Sequence, residues 1–154
     1  MKLNSEELWQ YSLAQYPKVE GLLLPLQDNY QLNINLLLLC GYAQSHGCAI
    51  DEHQLHELIA QTRSWQQRLT SPFRQLRREL KSTISKQQYQ EMLTMELALE
   101  REEQWRLVNS LPELPSDNPE AQANILSCLI SSGVALETIA PDSLATLFAI
   151  GHGQ

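Results

Sequence analysis

The sequence predicts an all-α fold: a compact multi-helix bundle of about six to eight helices around a central apolar helix. Two observations carry this. Leu, Gln and Glu dominate, Val and Ile are few, and glycines number only six, a mix of helix formers. Apolar residues recur at helical spacings, and no stretch alternates with period two for long enough to make a strand. With 154 residues, 43% of them apolar, the chain reads as one domain (1–154) able to bury a core without metals or disulfides.

Asn4 and Glu7 have capping-box spacing, and Leu8, Trp9, Leu13 and Tyr16 follow at helical intervals. Pro17 is expected to end that helix and start a second, with Val19, Leu22, Leu23 and Leu26 on its apolar face and a turn at Asp28-Asn29. The helix expected over 33–45 is apolar on nearly every side, so other helices must surround it. Asn33 or Asn35 caps it, and Gly47 is its left-handed stop. Asp51 caps the next helix, which turns Leu55, Leu58, Ile59, Thr62, Trp65 and Leu69 inward until Ser71-Pro72 interrupts it. A short basic helix over 72–82 precedes the longest one, about 86–110, opened by Ser85 and Gln88 with Met92, Met95, Leu99 and Leu107 inward. Residues 112–119 read as a Pro-rich linker to a C-terminal segment, 120–150, of two short helices.

Charge is distributed in blocks. Residues 63–86 hold seven bases and one acid; residues 87–120 hold eight acids and two bases. Arg74, Arg77, Arg78 and Lys81 share one helix face, and Glu96, Glu100 and Glu103 form an acidic stripe on the next helix. Two helices so close in sequence are expected to pack antiparallel and match these charges. Arg77→Glu should then destabilise the fold and Glu100→Arg partly rescue it. Two other readings stay open. The basic face could hold phosphate, as in an RNA- or ribosome-associated factor, although the net charge of −7 and the lack of interleaved aromatics argue against it. A polar pocket near Asn35, Arg77 and Glu100 could serve a small ligand or an enzyme.

No catalytic constellation is evident: there is no glycine-rich phosphate loop, no G-x-S-x-G and no H-E-x-x-H. His46, Cys48, His53 and His56 with Glu57 match no zinc spacing, so no metal and no cofactor is expected. Trp9, Tyr11, Tyr16, Trp65 and Trp105 read as core or core-edge groups. No apolar run approaches the ~20 residues of a membrane span. The N-terminus does not resemble a signal peptide, and Cys40, Cys48 and Cys128 read as reduced thiols. A cytoplasmic location fits. The leading expectation is a non-enzymatic protein-interaction or accessory module. Its binding residues would be drawn from Asn33, Asn35, Arg74, Arg77, Arg78, Lys81, Glu96 and Glu100, and its partner would most simply be another protein.

Several of these motifs, taken in order, resemble a family of small all-helical proteobacterial proteins of unknown function. They are Leu8-Trp9-x-x-Ser12-Leu13, Leu26-Gln27-Asp28 and Asn33-x-Asn35-Leu36-Leu37-Leu38-x-Cys40. Trp65, Pro72-x-Arg74-x-x-Arg77-Arg78-x-Leu80-Lys81 and Glu96-Leu97-x-x-Glu100-Arg101-x-x-Gln104 complete the set. The resemblance covers about residues 6–106 and departs at Phe73, where the family tends to have Leu. It implies a helical fold and a bacterial cytoplasmic setting, and supplies no catalytic residue. It suggests that the Asn pair, the Arg face and the Glu stripe belong to one arrangement.

Overall fold

The computed structural model describes residues 1–153. Its helices are α1 (Ser5–Tyr30), α2 (Ile34–Ser45), α3 (Glu52–Trp65), α4 (Ser71–Leu80), α5 (Lys86–Asn109), α6 (Asn124–Ser131) and α7 (Pro141–Ala149). A π-helical segment, Gln66–Thr70, joins α3 to α4, and 3₁₀ turns stand at Pro119–Ala123, Leu136–Thr138 and Ile150–His152. Among the described residues there is no strand, and the all-α bundle is the one the composition predicts.

Helix α2 is the centre. Every residue from Leu36 to Gln44 is buried, because α1, α3, α5, α6 and the Ile150–His152 turn pack around it. Asn33 is its N-cap, its Oδ1 accepting from Leu36 N at 2.8 Å. Asp51 and Ser85 close capping boxes with Gln54 and Gln88 at the starts of α3 and α5.

The structure departs from expectation at the prolines. Pro17 does not end the first helix: α1 runs unbroken past Pro17, Pro25 and the expected turn at Asp28-Asn29. Each proline leaves the carbonyl four residues earlier, on Leu13 and Gly21, without its helical donor. Both of those residues face solvent, where water replaces the missing N–H. The buried stripe Leu8, Ser12, Gln15, Val19, Leu23 and Leu26 continues through both sites, so tertiary packing overrides the local cost. Ser71-Pro72 does not interrupt the helical run either; the π-helical segment joins α3 to α4 with no non-helical residue between them. Leu69 and Met95, expected inward, are exposed, and Trp105 is half in solvent rather than at the core edge.

Of the expected linker 112–119, residues 112–118 carry no helix and Pro119 opens a 3₁₀ turn, yet the stretch is tied down. Leu114 is buried and its N–H donates to Met1 O at 2.9 Å, while Asn118 N donates to Gly47 O at 2.9 Å. Beyond it, Asn124 Nδ2 donates to Cys48 O at 2.8 Å, its Oδ1 accepts from Ile50 N at 3.0 Å, and Ile125, Cys128 and Leu129 are buried. The C-terminal segment therefore completes the core around α2. Gly47 is the hinge of this closure. Its φ of 68° lies in the left-handed region, and a Cβ there would stand 2.7 Å from Asp117 N. Gly47→Ala should cost about 2 kcal/mol, combining left-handed strain with that clash, and thermal or urea unfolding will read it.

Candidate functional site

A cavity of about 530 Å³ opens between α1, α2, α5 and the arm formed by the π-helical segment and α4. One side is apolar: Trp9, Leu13, Tyr16 and Leu24 from α1, Ile34 and Leu38 from α2, and Leu93 and Leu97 from α5. Leu13, Leu24 and Leu97 are among the most exposed large apolar side chains, an arrangement suited to an apolar occupant. The other side is polar and holds Asn33, Asn35, Arg74, Arg77, Arg78, Glu96, Glu100, Glu103 and Gln104.

The polar side is one connected network. Asn33 Nδ2 donates to both oxygens of Glu103 at 3.3 Å, and Asn35 Nδ2 donates to Glu103 Oε1 at 2.8 Å and to the Glu100 carbonyl at 3.2 Å. A carbonyl only accepts, so Asn35 must present its NH₂ there and turn its Oδ1 the other way. That oxygen takes a hydrogen bond from Gln104 Nε2 at 3.0 Å, and the same nitrogen donates to Ser12 Oγ at 2.9 Å. The chain of constraints ends at Gln104 Oε1, a buried acceptor with no protein partner.

Glu96 accepts from two arginines at once: Arg74 Nε at 2.7 Å and Arg77 Nε on its other oxygen. Arg77 also donates to Tyr89 Oη at 2.7 Å, and Arg74 reaches Glu100 at 3.6 Å. Burial pushes the Glu96 carboxyl up, but the hydrogen bonds from Arg74 and Arg77 outweigh it and hold it below 4.5. For Glu100, burial dominates; Arg74 offsets it in part, and the value stays above 4.5. Glu103 is likewise raised by burial, against the amide hydrogen bonds of Asn35 and Asn33 and, less strongly, the charge of Arg74. Glu103 is 4% exposed, yet no salt bridge reaches it among the described residues.

The cavity thus gathers seven of the eight residues singled out by sequence: Asn33, Asn35, Arg74, Arg77, Arg78, Glu96 and Glu100. Lys81 lies outside it and stacks over the Tyr89 ring at 5.6 Å. The matched stripes do pair, but through Glu96; Arg77 makes no bridge to Glu100, so Glu100→Arg is not its rescue. Glu96 engages two of the four basic residues, Arg74 and Arg77, but its single charge balances only one of them. Glu103, Gln104, Ser12 and Trp9 were not singled out as site residues. Gln104 could have been found from its position four residues after Glu100, on the same face of α5, and Ser12 and Trp9 are among the residues that carry the family resemblance. The His/Cys cluster does not converge: His46 packs edge-on against Tyr42, Cys48 is buried and His53 pairs with Glu57 on the surface. Among the described residues no group of three or more His, Cys, Asp or Glu side chains is placed to hold a metal, and no helix is long and apolar enough to cross a membrane.

An all-helical bundle with a cavity between its first, second and fifth helices defines the class. Residues 7–107 match the model of DUF2390, a protein family of unknown function, and the chain belongs to that family. No curated protein and no solved structure matches the chain. The matched span includes every residue that lines the cavity.

Two predictions follow from this geometry. Arg77→Glu sets a second carboxylate against Glu96 and should lose roughly 2 kcal/mol of stability. A double-mutant cycle of Arg77→Ala and Glu96→Ala should return a coupling of about 1–2 kcal/mol, and one of Arg77→Ala with Glu100→Ala a much smaller value.

The second concerns pH. Glu100 and Glu103 bind protons more tightly folded than unfolded, so their contribution is complete below 4.5 and is lost as pH rises through their folded values. Glu96 acts in the opposite sense, with its contribution present above 4.5 and lost as pH falls through its lowered value. The melting temperature should rise on acidification from neutrality toward 4.5 and fall below it. Glu103→Gln should flatten the rise.

Proposed function

We propose that this protein is a non-enzymatic binding module of the bacterial cytoplasm, and that the cavity over Asn35, Glu103 and Gln104 receives a small amphipathic organic ligand. The observation that carries this reading is the cavity itself. Its volume of about 530 Å³ falls within the roughly 300–1,000 Å³ of small-molecule sites, and it pairs an apolar wall with a few ordered polar groups. A non-catalytic role is supported by the lining, which holds no histidine, cysteine or lysine, and by Glu103, both of whose oxygens are held by amides. The cytoplasmic setting is supported by the three thiols, all buried and free.

The test is a diverse fragment set, read by thermal shift on the wild type and on Leu97→Trp. Leu97 is half-exposed at the cavity mouth, so the larger ring narrows the cavity without disturbing the core. A fragment at a hundredfold excess over its Kd adds about 2.7 kcal/mol of stability. That gain should appear in the wild type and vanish in the variant. A set yielding no shift that depends on Leu97 would overturn the reading.

One observation favours an alternative. Glu100 is partly exposed on the cavity wall with its carboxyl raised by burial, a poise suited to proton transfer on a bound ligand. Chemical change in a bound fragment, lost in Glu100→Gln, would establish it; recovery of every binder unaltered would exclude it.

A further inference from the structure

The polar groups of the cavity are unevenly matched. Gln104 is 1% exposed and lines the cavity, and both known uses of its amide are as donor, to Ser12 and Asn35. Its Oε1 is left as an orphan acceptor whose orientation is fixed through Asn35 by the Glu100 carbonyl. A buried acceptor without a partner is costly, and a ligand that supplies a donor removes that cost.

One position along on the same helix, the Glu103 carboxylate has hydrogen bonds from two amides but no cation. A buried charge is ordinarily paired. None of the three arginines that line the cavity bridges it: Arg78 is exposed, and Arg74 favours the ionised carboxyl only through its charge, without direct contact. Arg77 is committed to Glu96 and Tyr89, and Arg74 to Glu96 with a longer reach to Glu100. The polar side therefore holds a buried acceptor without a donor and, beside it, a buried carboxylate without a cation in direct contact.

We propose that the cavity takes a small organic cation, with an ammonium or guanidinium group against Glu103, Glu100 and Gln104 Oε1 and an apolar portion along Trp9, Leu13 and Leu97. The assignment rests on the ligand-binding reading above and names its chemical class. A cationic donor completes the orphan acceptor and the unpaired carboxylate in one step, and its charge-assisted hydrogen bonds are the strong kind. An anion would meet Glu100 and Glu103 and leave Gln104 Oε1 unpaired. A neutral alcohol would serve the amide oxygen and leave the carboxylate as it is.

Three probes of matched shape separate these cases: 2-phenylethylamine, 2-phenylethanol and 3-phenylpropanoate, titrated calorimetrically into the full chain at neutral pH. The amine should bind at least about tenfold more tightly than the alcohol, and the propanoate should not bind. Saturation with the amine should move the carbon-13 titration of the Glu103 carboxyl to lower pH, a readout that needs no variant. Glu103→Gln, checked for retained helicity, should lose the preference for amine over alcohol. Alcohol or propanoate binding as tightly as the amine would overturn the cation assignment and leave the cavity reading standing. Binding by none of the three would also overturn it, and the fragment set with Leu97→Trp then decides whether the cavity reading falls too.

Discussion

A carboxylate sunk among helices must be surrounded by donors, and in this protein that requirement sets the register of three helices. Glu103 on α5 draws Asn33 and Asn35 from the start of α2, and Asn35 in turn orients Gln104, which reaches Ser12 on α1. Sliding any one helix by a single residue would break several of these bonds at once. The apolar contacts around α2 supply most of the attraction, but they are non-directional. The amide network makes one arrangement of α1, α2 and α5 better than its neighbours.

A second polar element works differently. The α4–α5 hairpin has no buried residue between Ser71 and Met95. What holds its two limbs is the grip of Arg74 and Arg77 on Glu96, with Tyr89 under the guanidinium of Arg77 at 5.7 Å. Two cations on one carboxylate leave surplus positive charge beside the cavity, which Glu100 partly meets. The blocks of opposite charge along the chain are thus an internal fastening as much as a surface for others.

Much of this was legible in the sequence. The apolar run from Leu36 to Cys40 marked the central helix, and Asn33, Asp51 and Ser85 marked three helix starts, because side-chain caps act within a few residues. The i, i+3 and i+4 spacing of the Arg and Glu residues placed them on facing sides of a hairpin. What stayed hidden depended on contacts distant along the chain. The prolines of α1 are tolerated because Leu13 and Gly21 happen to face water. Met95 and Leu97 are apolar yet outward, while Glu96 and Glu103 are charged yet inward, so α5 presents its acids to the protein and part of its apolar surface to solvent. Periodicity assigns the opposite sides, since only the arriving Arg and Asn partners make that inversion affordable.

The hairpin without a core has a thermal consequence. Its limbs open at the low end of the protein's local stabilities, whereas α2 and the helices packed on it share the global one. Because Arg74, Arg77 and Arg78 line the cavity opposite residues of α1, α2 and α5, the pocket is shared between the core and this less stable unit. On warming, the expected first loss is therefore that arm of the cavity, in a state that keeps the helices around α2 and yet has lost a wall of its binding site.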